Sequence, residues 1–193
     1  RVQQLGPKLG PVLLQLPPSL PVDARALRDA LQQAPPGVRV AVEFRHASWR
    51  CPAVLALLRR HDAAAVESVR PGEPLRPMLT ASWWYIRFFH DLQAEARGVL
   101  TEFSRTAQLR EVAQVLGRRI SGGACKGFVF FMNDLGGAAP RDAAALHALL
   151  RAELGVAGTS LALGFSPAPE PRKLAAFFPG PGAEGGAPRL GEA

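Results

Sequence analysis

Four stretches of this 193-residue chain pass from apolar runs directly into polar or charged residues, and those endings hold the side chains able to do chemistry. Gln15 closes residues 12–16, Glu43, Arg45 and His46 close residues 38–45 and their turn, Arg87 and His90 close residues 83–89, and Asn133 and Asp134 follow residues 128–132. Successive side chains of a strand point to opposite faces, so Ala41, Glu43 and Arg45 share one face while Val40, Val42 and Phe44 share the other. A carboxylate beside an arginine at a strand end suits acid/base work on an anionic substrate. The same pair also suits an internal ion pair that only neutralises two buried charges. On the catalytic reading Glu43 or Asp134 is the general acid or base, His46 or His90 moves a proton, and Arg45 and Arg87 clamp anionic groups. The segment from Asp134 through Gly136, Gly137 and Pro140 adds a glycine turn before a helix. Free backbone N–H groups in such a turn can hold phosphate, although a tight strand–helix turn needs glycines in any case.

The elements that must position these residues follow from turn chemistry and periodicity. Residues 12–16 lie between Gly10-Pro11 and Pro17-Pro18 and read as a buried strand. Asp23 is placed to cap a helix with Leu27, Ala30, Leu31 and Ala34 at helical spacing, stopped by Pro35-Pro36-Gly37. Residues 38–45 form a second strand, and Pro52 opens a helix through Val54, Leu55, Leu57 and Leu58. Residues 63–66 form a weak third strand and residues 83–89 an aromatic fourth, in which Trp83, Trp84 and Tyr85 read as barrel packing. A helix with Leu109, Val112, Ala113, Leu116 and Ile120 follows, with Ser104 as its expected N-cap. Residues 128–132 make a fifth strand, and Pro140 sits in the first turn of a helix with Leu146, Leu149 and Leu150. Strands alternating with helices imply parallel β/α units, and an open doubly wound sheet is the alternative to a barrel. Neither a GxGxxG turn nor a GxxxxGK[ST] loop follows any strand, which removes the commonest nucleotide sites.

Composition narrows the classes further. Hydrophobic residues make up 48% of the chain, ample for one core, and no apolar run reaches the roughly 18 residues a membrane helix needs. Net charge is +7, yet of 23 basic residues only Lys8, Lys126 and Lys173 are lysines, and the arginines are scattered through Ala-, Gly- and Pro-rich sequence. The pairs Arg59-Arg60 and Arg118-Arg119 fall at expected helix C-termini, where cations suit the macrodipole. Charge alone therefore does not argue for a specific nucleic-acid partner. Cys51 and Cys125 lack a CxxC partner or a Cys/His cluster, which fits structural thiols in a reducing, cytoplasmic-type compartment. Residue 1 is Arg and shows no signal segment, so the start reads as a cut end.

Gly-Pro-Val-Leu-Leu-Gln-Leu-Pro-Pro at 10–18, Val-Glu-Phe-Arg-His-Ala-Ser-Trp at 42–49, Tyr-Ile-Arg at 85–87 and Asn-Asp-Leu-Gly-Gly-Ala-Ala at 133–139 resemble the YecE-like family, domain of unknown function number seventy-two. The resemblance covers about residues 5–151 and implies a TIM-type β/α barrel, with these five strands matching its fourth through eighth. The family's Gly-Thr-Ser-Gly-Trp strand and acidic second strand are absent. The resemblance implies pocket positions at Gln15, Glu43, Arg45, His46, Trp49, Arg87, Asn133 and Asp134. Met132 stands where the family usually has Asn, and Phe88-Phe89 add one residue between Arg87 and His90. Asp142 stands for an Asn of the last helix, and the acidic end of the sixth strand has no clear match.

The expected architecture is thus a partial barrel over residues 1–154 and a Gly/Pro/Ala-rich, mostly disordered tail over 155–193, with a docked segment expected at 161–165. The expected function is that of a truncated, non-catalytic barrel binding a small polar or anionic ligand. The alternatives are an acid/base enzyme acting on a small anionic substrate, and a nucleic-acid-binding protein. Expected partners are such a ligand and either a second copy or the absent barrel units, with no membrane. No cofactor can be named. A divalent metal on Glu43, Asp134 and a histidine is chemically conceivable, but the spacing carries no ligand signature.

Overall fold

Strands form where the apolar runs lie: β1 (Val12–Gln15), β2 (Val40–Glu43), β3 (Ala64–Val69), β4 (Trp83–Phe88) and β5 (Lys126–Phe131). The computed structural model describes residues 2–123 and 126–155. Every neighbouring pair of strands is parallel, and the order is β1-β2-β3-β4-β5. Parallel neighbours need crossover connections. Helices α1 (Ala24–Gln32) and α2 (Pro52–Arg60) supply the first two, α3 (Leu92–Ala96) and α4 (Ala107–Ser121) lie between β4 and β5, and α5 (Ala138–Glu153) follows β5. β3 and β4 are joined without a helix. The result is a curled sheet in chain order, part of a TIM-type barrel, which excludes the doubly wound alternative.

The two-residue period of the strands divides the core into two layers. Val42 and Ala65 face outward against Leu27 and Leu31 of α1 and Val54 and Leu58 of α2. Ala41, Ala64, Val66, Trp83 and Tyr85 face inward with Leu13 and Phe128. The helices begin where the sequence supplies caps: Asp23 accepts a hydrogen bond from the Ala26 N–H at 2.8 Å, and Pro52 occupies the first turn of α2.

β1, β2 and β4 are shorter than expected, at Val12–Gln15, Val40–Glu43 and Trp83–Phe88, and three further boundaries differ for a packing reason. β3 runs on to Val69 instead of stopping at Val66. Its outward residue Glu67 is 1% exposed and accepts two hydrogen bonds from the Arg119 guanidinium at 2.8 and 2.9 Å, so a charge can sit within the strand. Arg119 does end its helix, but it is buried in this pair and not solvated. β5 begins at Lys126, because Gly127 lies in register with Trp84 and leaves room for the indole. Ser104 is not the cap of α4. Thr106 holds that position, while the Ser104 N–H donates to Asp142 at 2.6 Å.

Beyond Gly155, the expected tail and the segment at 161–165 lie outside the described residues, as does Cys125. Among the described residues no helix is long and apolar enough to cross a membrane.

Two outcomes follow from this packing. A Cβ at residue 127 would lie 1.8 Å from Trp84 Cε2, so Gly127→Ala should lower unfolding free energy by about 1–3 kcal/mol in urea titrations. Unchanged stability would mean that the indole has room to move. The outer sides of β1 and β5 carry no strand partner among the described residues, and Phe130 and Met132 of the inner face are 40% and 37% exposed. Open edges recruit further chains. The 193-residue chain should therefore self-associate in light scattering, and a monodisperse monomer would refute this.

Candidate functional site

The C-terminal ends of the strands bring a small set of polar side chains to the inner face. Register pairs Gln15 with Glu43 and Ser68 with Arg87. Between β2 and β4, the inner face of β3 presents only Ala64, Val66 and Ser68, so the long Arg87 side chain can cross it to reach Glu43. Glu43 is 3% exposed. Its Oε1 accepts hydrogen bonds from Gln15 Nε2 at 2.7 Å and Arg45 Nε at 2.9 Å, and its Oε2 accepts one from Arg87 Nη1.

Burial alone pushes the Glu43 carboxyl up. The hydrogen bonds from Gln15, Arg45 and Arg87, together with the Arg87 charge, outweigh it and hold the group below its ordinary value. Glu43 is therefore an anion at neutral pH, with three donors already on its two oxygens. Nearby, burial raises the Tyr85 hydroxyl above its usual value against the opposing charge of Arg87, and its ring stacks on Phe130 at 4.8 Å.

Above this cluster lies an open cleft of ≈ 690 Å³, whose wall includes Arg45, Trp49, Arg70, Arg76, Phe89 and His90. Arg45 commits its Nε to Glu43, yet its side chain remains 42% exposed. Arg87 is nearly enclosed, gives Nη1–H to Glu43 and does not line the cleft, where the expected clamp would stand. The Phe89 ring carries the Arg87 guanidinium at 4.8 Å and the Arg70 guanidinium at 4.7 Å. Trp49 is a core residue that also touches the cleft. It stacks on Phe44 at 5.2 Å and donates Nε1–H to the Leu20 carbonyl at 2.8 Å.

The other expected site residues go elsewhere. His46 caps a short 3-10 turn, Ala47–Trp49, accepting from the Ser48 N–H on Nδ1, and does not line the cleft. His90 does line it, with Nδ1 3.2 Å from Glu95 Oε2 of α3. Asn133 does not join Glu43: strand alternation turns Met132 toward the cleft and Asn133 away from it. Asn133 is buried and donates Nδ2–H to Asp142 Oδ2 at 2.7 Å and to the Thr101 carbonyl at 2.8 Å. Asp134 lies exposed in the loop beyond.

Gly136 and Gly137 adopt left-handed φ of 64° and 68°, which glycine permits. Three N–H groups of the expected phosphate cradle are already spent. The N–H groups of Gly137, Ala138 and Ala139 donate to the carbonyls of Asp134, Leu135 and Asn133, and Pro140 has no N–H. Among the described residues no three His, Cys, Asp or Glu side chains gather as metal ligands.

Reading the sequence missed Arg70, Arg76, Phe89 as a stacking platform, and the Glu67–Arg119 pair. Arg70 had a usable signal: it directly follows β3, as Arg87 stands near the end of β4, but it was hidden by ending the strand at residue 66.

Parallel strands in order, outward helices and polar groups at the strands' C-terminal ends define a partial TIM-type β/α barrel. The chain belongs to the family described as "Protein of unknown function DUF72", whose model matches residues 1–167. Its fold is similar to crystal structures of DUF72 family proteins from Enterococcus faecalis (18% identity, TM-score 0.60) and Thermotoga maritima (24% identity, TM-score 0.58). The matches cover 79% and 80% of this chain but only 61% and 63% of those proteins, so the chain spans less than two thirds of their length. No curated protein matches it.

The Glu43 cluster makes an acid-stability prediction. A carboxylate whose folded pKa lies below its unfolded one contributes stability above the unfolded value and loses it as pH falls through the folded value. Glu43→Gln should flatten the acid side of the melting-temperature profile. At neutral pH it should cost about 3–5 kcal/mol, because Arg87 loses its buried counter-charge. If wild type and variant lose stability in parallel on acidification, ionised Glu43 is not what the cluster depends on.

Proposed function

We propose that the cleft at the C-terminal edge of the sheet binds a small anionic ligand through Arg45. The observation that carries this reading is the division of labour around Glu43. That carboxylate takes the Nε edge of Arg45 and leaves the terminal guanidinium nitrogens on an exposed side chain in the cleft wall. A guanidinium oriented by one carboxylate presents its remaining donors in a fixed fork, suited to a second carboxylate or a phosphate. In this reading Glu43 organises arginines and moves no proton. Its lowered pKa and three donors make it a weak base and leave no proton for an acid.

An acid/base enzyme is the second reading, favoured by one contact. His90 stands in the same cleft with Nδ1 against Glu95, so a carboxylate orients the ring and Nε2 is left for proton exchange.

Calorimetric titration of the chain with inorganic phosphate and with butyrate, in low-salt buffer, tests the binding reading. Wild type should bind with an affinity that falls as salt rises, and Arg45→Gln should weaken binding by about tenfold, the usual worth of a charge-assisted hydrogen bond. Absence of binding by wild type, or equal binding by Arg45→Gln, would remove the proposal.

A further inference from the structure

Resting on the ligand reading above, we infer that the ligand is two-headed, with one acidic group on Arg45 and a second on Arg70, supported by Arg76. The two arginine sets come from different parts of the fold. Arg45 follows β2, whereas Arg70 and Arg76 belong to the helix-free connection between β3 and β4. That connection is held in place: Gln108 of α4 donates Nε2–H to the carbonyls of Arg70 and Glu73, and Thr80 Oγ1 donates to the Ala63 carbonyl and accepts from the Ala65 N–H.

Charge accounting points the same way. Phe89 supports two guanidinium groups, but Glu43 compensates only that of Arg87. Arg70 has no carboxylate partner among the described residues. A cation held on a ring beside a second cation is a standing site for an anion. Of the carboxylates in the cleft wall, Glu43 is committed to Arg45 and Arg87 and Glu67 to Arg119, which leaves only Glu73. Arg50, Arg70 and Arg76 thus face a single uncommitted carboxylate, while Arg45 shares Glu43 with Arg87.

Size and lining supply the rest. A cleft of ≈ 690 Å³ exceeds what one inorganic anion fills and lies in the range of sites for whole small molecules. Met78 and Met132 add apolar side chains to its wall, suited to the carbon chain of a ligand. The structure therefore favours an α,ω-dicarboxylate-like dianion over a single phosphate or a monoacid. Glu73 limits how much charge the cleft accepts.

The test titrates the full chain with succinate, glutarate and adipate against butyrate. At least one diacid should bind about tenfold more tightly than butyrate, the increment expected of a second charge-assisted contact. Arg70→Gln should bring diacid affinity down to that of butyrate measured on the same variant, and Glu73→Gln should tighten diacid binding. Thermal melts of the unliganded variants check that each is folded, and Arg76→Gln gives an independent reading if Arg70→Gln is not. If diacids and butyrate bind equally, and Arg45→Gln still weakens both, the two-headed ligand is wrong and the anion-binding reading survives. Loss of diacid and butyrate binding together in Arg70→Gln would mean that Arg70 acts through the fold, and would also overturn the inference. If no acid binds to wild type, both readings fall.

Discussion

A buried carboxylate has to be surrounded by donors, and Glu43 meets that requirement by drawing on three separate parts of the chain. Gln15 comes from β1, Arg45 from the turn after β2, and Arg87 from β4 across the intervening β3. Desolvation makes each of these contacts costly to lose. The strand ends are thereby fixed against one another, and the floor of the cleft with them. Arg87 in turn lies against Phe89, and Phe89 carries Arg70, so two arginines of the cleft wall, Arg45 and Arg70, connect to this one carboxylate.

The outer layer obeys the same rule with different residues. Glu67 on β3 meets Arg119 of α4 in a buried, two-pronged pair that binds helix to sheet. Asp142 of α5 is wholly buried and accepts from the N–H groups of Phe103 and Ser104 and from Asn133 Nδ2. It joins the end of β5 to the long β4–α4 connection, and Phe103 then packs edge-on against Phe88 at 4.9 Å. Polar groups thus settle the crossings of the barrel wall, while apolar contacts on both faces supply most of the burial.

These two sets of contacts separate structural from available charge. Arg87 and Arg119 carry charges already answered by Glu43 and Glu67. The arginines of the cleft wall differ because their charge exceeds that of the carboxylates around them. The basic character of the whole chain says little about a partner, whereas this local imbalance, held by stacking and by Gln108, says what kind of group the cleft accepts.

The sequence by itself determined the five strands, their alternation with helices and the inward face shared by Ala41, Glu43 and Arg45. These rest on local periodicity and on turn residues such as Pro35-Pro36 and Pro52, and need no knowledge of distant contacts. Alternation also turns Asn133 outward, but only once the strand's inward face is known from packing. Tertiary structure alone decided which donor would answer which carboxylate. Arg87 lies 44 residues from Glu43, and Arg119 lies 52 from Glu67. It also decided that the N–H groups of Gly137, Ala138 and Ala139 would be consumed by the chain's own carbonyls. The physical reason is that a side chain's face is set by its neighbours in sequence. Whether its charge is spent or free depends on register across the sheet and on the helices packed behind it.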